Sequence, residues 1–257
     1  MKKNIILLCL IFIVMLFSFA SIYVVIEDDY QKYTRHDIST GEDVEVDPRD
    51  FPKDNNDNEL LKQMAYDYFN LKEQNSHCIG WLNIPDIGYY PVMAYTDNQF
   101  YLTHNDQDKY STNGAIFMNT ASEFSFKDTA LLHGHKLRSG KMFGNLDYYL
   151  QEKFFQNNGM VLVFDGEFFY YYKQYTVFLL KDGVESITQH GLDKDERLEY
   201  MTSLYDKSRI SLKNGENPNL ENQMLFLQTC NYSFEDARLV VGLYATKAIQ
   251  YEEGMFD

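Results

Sequence analysis

Apolar and polar positions along this chain fall into distinct textures, and the first is unbroken. Residues Ile5 to Ile26 are almost wholly apolar, over roughly the twenty positions that a helix needs to cross a bilayer. Lys2 and Lys3 precede the run and Glu27, Asp28 and Asp29 follow it. The basic flank stays inside, so the pattern predicts an anchor with the bulk of the chain outside the membrane. A competing reading is a cleaved signal peptide ending near Ser18-Phe19-Ala20, but the run continues well past that point, to Ile26.

From Glu27 to residue 57 the chain is acidic and polar, with Pro48 and Pro52, and reads as a loosely packed extracellular linker. Asp57 or Asn58 then caps a predicted helix in which Leu60, Leu61, Met64, Ala65, Tyr68 and Leu71 recur at helical spacing. Beyond Ile79 the texture changes to short apolar runs cut by Gly, Pro, Asn and Asp. Strands are predicted at 79–84, 89–93, 115–118, 129–132, 160–164, 168–172 and 175–180, with a hairpin turn at Asp165-Gly166. Two helical interruptions are expected, at Lys141 to Phe155 and Asp193 to Tyr205. Many short strands with close turns argue for a sandwich or a barrel.

The last two strands carry the candidate chemistry. Leu225 to Cys230 and Arg238 to Tyr244 are apolar runs joined by a polar turn. Alternation puts Leu225, Leu227 and Thr229 on one face of the first, with Phe226, Gln228 and Cys230 on the other. In the second, Leu239, Val241, Leu243 and Ala245 make the greasier face. If the greasy faces share a core, Cys230 and Arg238 project together from the opposite side.

Charge and composition narrow the options. The formal charge of -15 repels phosphate backbones and disfavours nucleic-acid binding. Tyr 21 and Phe 19 against Trp 1 favour strands over a helical bundle. Cys9 lies in the apolar run, so Cys78 and Cys230 are the two thiols left for the folded part. They give neither a disulfide framework nor a zinc-type spacing. A thiol serves as a nucleophile when a base or cation favours its thiolate. His133 and His135, in Leu131-Leu132-His133-Gly134-His135, stand where a predicted strand runs into a glycine-containing loop, and pattern alone does not choose between them. Arg238 reads either as a surface cation pairing with Glu235 or Asp236, or as the electrostatic partner of a developing oxyanion. Cys78 reads as a packed thiol, with a disulfide to Cys230 as the alternative.

Phe226-Leu227-Gln228-Thr229-Cys230 resembles the T-L-x-T-C signature of sortases, the cysteine transpeptidases of Gram-positive cell surfaces. Arg238 stands where their arginine follows. Leu132-His133-Gly134-His135 resembles the segment holding the sortase histidine, which directly follows a glycine, and this assigns the role to His135. The segments Ile79-Gly80-Trp81-Leu82, Tyr90-Pro91-Val92, Asp97-Asn98 with Tyr101-Leu102, Gly114-Ala115-Ile116-Phe117 and Lys141 to Leu146 resemble the class B subgroup, as does a helical insert before the cysteine strand. The resemblance covers roughly residues 58 to 247. Phe226 departs from the usual threonine, and Gln228 fills the variable position.

The resemblance implies a mainly β fold, a closed barrel of about eight strands with an N-terminal helix and that helical insert. It divides the chain into a cytoplasmic N-terminus and anchor (1–26), an acidic linker (27–57) and a catalytic domain (58–257). Cys230, His135 and Arg238 are the implied catalytic residues, with Thr229 and Gln228 in contact with substrate. The implied activity is cleavage of a C-terminal sorting signal through a Cys230 thioester. The acyl group then passes to an amine acceptor, a peptidoglycan cross-bridge or a pilin lysine. Implied partners are a sorting-signal-bearing surface or pilin protein and the membrane, and no metal or cofactor is implied. A cysteine endopeptidase releasing the peptide to water is the alternative, and a membrane-anchored binding ectodomain is the non-enzymatic one.

Overall fold

The fold is taken from a computed structural model, which describes residues 33–36, 43–46, 58–181, 194–210, 223–230 and 236–256. The predicted anchor, most of the linker and the 231–235 turn lie outside the described residues. Among the described residues no helix is long and apolar enough to cross a membrane. The chain divides into two units, Met1–Asp47 and Pro48–Asp257. In the first, β1 (Tyr33–His36) and β2 (Asp43–Val46) pair as an antiparallel hairpin, within the stretch whose polar composition reads as a loosely packed linker.

The second unit holds α1 (Asn58–Gln74) and the strands β3 (Cys78–Ile84), β4 (Gly88–Met93), β5 (Ile116–Met118) and β6 (Thr129–His133). There follow α2 (Glu152–Asn157), β7 (Val161–Phe164), β8 (Phe168–Lys181), α3 (Lys194–Asp206), β9 (Met224–Cys230) and β10 (Ala237–Gln250). The eight strands from β3 to β10 close into a barrel in the order β10-β8-β7-β3-β4-β5-β6-β9. Two neighbouring pairs, β4 with β5 and β6 with β9, are parallel. Parallel partners need long crossovers, and the β6 to β9 crossover holds α2, β7, β8 and α3.

Alternation builds two cores on one sheet. Leu225 and Leu227 of β9 and Leu239, Val241 and Leu243 of β10 enter the barrel, beside Leu132, Val163 and Val177. Their neighbours Met224, Phe226, Val240 and Tyr244 face outward and are covered in turn, with Leu204 of α3 in the same cluster. Burial on both faces explains why β9 opens as a continuous apolar run. Each fully buried leucine here contributes about 1.5–3 kcal/mol. Across the barrel, α1 lays its predicted apolar stripe on β3 and β7. Leu60, Leu61, Met64, Ala65, Tyr68 and Leu71 are all buried, and Tyr68 meets Phe164 edge-on at 5.3 Å.

Two predicted elements differ from those observed. The strands expected at 168–172 and 175–180 are one strand of 14 residues. The polar pair Lys173-Gln174 is absorbed where the register to β10 slips, from Thr176 opposite Gly242 to Gln174 opposite Leu243. Tyr175 is the extra residue of that bulge, and the buried Gln174 amide donates to the Phe155 carbonyl at 2.6 Å. The helix expected from Lys141 to Phe155 is instead a 3-10 turn, Leu146–Leu150, followed by α2. Phe143, Leu146 and Tyr149, all buried, repeat every third residue, which is the 3-10 period. Gln151, extended at φ -93 and ψ 120, separates the two pieces.

Candidate active site

Cys230 is the last residue of β9, and Arg238, near the start of β10, is its direct partner across the ladder. Both point away from the barrel interior, as alternation predicts, and both are half-buried. Arg238 donates from Nη1 to the Ala237 carbonyl at 3.3 Å. Gln228, two residues before Cys230, shares its face and is also half-buried.

Thr229 points the other way. It is 2% exposed, and its hydroxyl donates to the Gly134 carbonyl at 2.8 Å. Alternation turns it away from the Cys230 face, and its hydroxyl ties the cysteine strand to the histidine loop. Gly134 completes the tie, donating its N–H to the Gln228 carbonyl at 3.2 Å. A Cβ at position 134 would stand 2.5 Å from Ile116 Cδ1 and 2.7 Å from Phe143 Cδ2. Glycine therefore lets the loop press onto the core as it passes the thiol strand.

β6 and β9 run parallel with His133 opposite Gln228. The ladder ends there, and His135 follows Gly134 just past the end of β6, at the end of the barrel where β9 closes with Cys230. The His135 carbonyl accepts from the Phe143 N–H at 3.0 Å, and its ring Nε2 lies 2.7 Å from the Leu102 carbonyl. A carbonyl accepts and does not donate, so Nε2 carries the proton and Nδ1 is the ring position left to exchange one. A carboxylate commonly orients such a ring, and here a backbone oxygen does so. Gly114, at φ +64, leaves room for this arrangement. A Cβ there would stand 2.5 Å from the Tyr101 carbonyl oxygen and 3.0 Å from His135 Cδ2.

The other histidine of the motif has a different environment. His133 Nε2 is 2.9 Å from Asn119 Nδ2, and Asn119 Oδ1 accepts from Ala121 N–H at 2.9 Å. The asparagine therefore presents its NH2 to the ring, which accepts through Nε2. His133 also packs against Phe117, with ring centroids 5.2 Å apart. Pattern leaves the two histidines equivalent, and their partners distinguish them. The Leu102 carbonyl has no side-chain signature, so the pattern gives no warning of it. Gly114 was visible only as part of the class B resemblance.

Cys78 is fully buried and free. Burial pushes its thiol up to about 12, against the smaller opposing effects of the Gly80 backbone hydrogen bond and Lys72. It is a packed, neutral thiol. Under native conditions a thiol-reactive reagent is expected to modify Cys230 and spare Cys78, which peptide mapping by mass spectrometry checks. Rapid modification of Cys78 in the folded protein would contradict the packed reading.

A Sortase domain family model matches residues 82–246. The chain is 36% identical to sortase B of Listeria monocytogenes over 87 residues, which are 33% of this chain and 35% of that protein. It is 26% identical to sortase B of Staphylococcus aureus over 176 residues, 66% of this chain and 71% of that one. The X-ray structure of Clostridium perfringens sortase B superposes with a TM-score of 0.63 at 27% identity, covering 70% of this chain and 99% of that one. The chain belongs to the sortase family of cysteine transpeptidases, in its class B.

Proposed function

We propose that this protein is a membrane-anchored transpeptidase in which Cys230 is the nucleophile, His135 the proton carrier and Arg238 the oxyanion partner. The observation that carries the reading is the alignment of three groups at one end of the barrel. Cys230 and Arg238 are cross-strand partners, and His135 lies just past the end of β6, which runs parallel to β9, with its Nε2 committed to Leu102.

In the reaction the Cys230 thiolate attacks a backbone carbonyl of the sorting signal. Its electron pair forms the C–S bond while the carbonyl oxygen takes up negative charge beside Arg238. The C–N bond then breaks, the departing amine takes a proton from His135, and a thioester remains on Cys230. An incoming amine attacks the thioester, passes a proton to His135 and expels the thiolate, so an amide is regenerated. Gln228 lies on the face the substrate approaches and contributes to specificity. The apolar run Ile5 to Ile26 behind Lys2 and Lys3 supports an uncleaved anchor with the catalytic domain outside the membrane. The acceptor is a cell-wall cross-bridge amine or a lysine of a pilin subunit.

A peptide library incubated with the full-length protein, with and without an amine, tests the reading. Cleaved peptide joined to the amine is expected. Cleavage whose acyl product goes to water alone would instead indicate an endopeptidase. Arg238→Lys separates shape from charge, because lysine keeps the charge and loses the planar fork. A fall in kcat/KM of roughly 100-fold is expected, the scale of removing one oxyanion donor. Near-normal turnover would reduce Arg238 to a surface ion pair.

A further inference from the structure

The carbonyl that orients His135 belongs to a short 3-10 turn, Phe100–Leu102, in the β4 to β5 crossover. The start of this turn is held by Asp97, whose Oδ1 accepts the N–H groups of Gln99 at 2.7 Å and Phe100 at 2.8 Å. Its middle residue, Tyr101, is 1% exposed and sends its hydroxyl to Asp108 Oδ1 at 2.6 Å. The same oxygen accepts from Asn75 Nδ2 at 2.9 Å, just past the end of α1. The other carboxylate oxygen meets His77 Nδ1 at 3.0 Å, at the entry to β3. One carboxylate therefore fastens the turn to the adjoining ends of α1 and β3.

Asp108 is built for this task. Its backbone lies at φ +58, in the left-handed region that aspartate and asparagine tolerate better than most residues. Burial pushes its pKa up, but the hydrogen bonds from Tyr101, Asn75 and His77, with the charge of His77, outweigh burial and hold it below the ordinary carboxylate value. Tyr101 is fixed at a second point, where its carbonyl accepts the Ala115 N–H at 3.0 Å, next to Gly114.

We propose that Asp108 is a positioning residue, acting through the Tyr101 hydroxyl and the Leu102 carbonyl to fix the ring and tautomer of His135. The proposal rests on the reading of His135 as the proton carrier. The path is continuous: Asp108 to Tyr101 by a hydrogen bond, Tyr101 to Leu102 by the chain, and Leu102 to His135 Nε2 by a hydrogen bond of 2.7 Å. Displacing the turn by about 1 Å stretches that last bond beyond hydrogen-bonding range. The ring is then free to hold its proton on Nδ1, the position that must exchange it. Misplacement on this scale is known to cost up to about 100-fold in rate.

The test uses full-length protein labelled with 15N-histidine, in wild-type, Asp108→Asn and Tyr101→Phe forms. Asparagine keeps the volume and the left-handed backbone, and phenylalanine keeps the buried ring. Two-bond 1H–15N correlations, with His135→Gln as the assignment control, report the tautomer directly. Wild type is expected to show His135 protonated on Nε2 alone when neutral, and both variants a mixture of tautomers. With a fluorogenic peptide that wild type cleaves, kcat is expected to fall about tenfold while KM stays within about twofold. An unchanged His135 spectrum in both variants overturns the proposal, even if their Tm falls, because that is the result of a merely structural role. A wild type that shows the single tautomer and its loss in the variants, yet cleaves no peptide, would sink the transpeptidase reading and leave the positioning intact.

Discussion

Cys230→Ala is expected to abolish both cleavage and transfer of a sorting-signal peptide, with turnover falling by at least about 10⁴-fold. In the proposed mechanism the Cys230 sulfur supplies the electron pair that forms the intermediate, and a methyl group cannot replace it. The fold should be unaffected. The thiol lies at a strand end on the outward face, and the neighbouring barrel core of Leu225, Leu227 and Leu239 does not include it. Circular dichroism and Tm should therefore match wild type while the steady-state assay reads no product. An active Cys230→Ala protein would move the chemistry elsewhere in the chain.

His135→Gln carries the second-largest effect. Glutamine can still donate an amide N–H toward the Leu102 carbonyl, which now accepts from Nε2 at 2.7 Å, but it cannot take up and return a proton at neutral pH. Removing a general acid–base group of this kind costs about 10²–10⁴ in rate. Both half-reactions use the same group, so the loss should appear in formation of the thioester and in its transfer to the amine. Stopped-time mass spectrometry of the protein resolves the two steps. A variant impaired in neither step would shift the role to His133, whose ring is engaged with Asn119.

The strand pattern was legible in the chain because the period of two is simple and the core enforces it. Every predicted strand of the catalytic domain overlaps an observed one, two of them merging into β8 and the last running on to Gln250, and the shared outward face of Cys230 and Arg238 is what alternation required. The errors have physical causes. Lys173-Gln174 looked like a strand break because the pattern cannot foresee a bulge that gives a buried amide a backbone partner. The 141–155 segment looked like a helix because spacing of three and spacing of 3.6 are hard to tell apart over two turns. At the candidate site, Cys230 and Arg238 could be placed by alternation. The choice of His135 over His133 rests on resemblance, and the two rings differ in their partners, the Leu102 carbonyl for one and Asn119 for the other. The alternation that places Cys230 outward turns Thr229 the other way, onto the Gly134 carbonyl. The Leu102 carbonyl was beyond reach, because a main-chain oxygen brought in by a crossover carries no residue type.

The central claim, a covalent acyl-enzyme on Cys230, is tested most directly by mass spectrometry of the full-length protein after brief incubation with a cleavable peptide. An added mass equal to the N-terminal part of the peptide, mapped to Cys230, is expected. The adduct should disappear when an amine is added, as ligated product appears. Cleavage without an adduct on Cys230, or an adduct mapped to another residue, would contradict it.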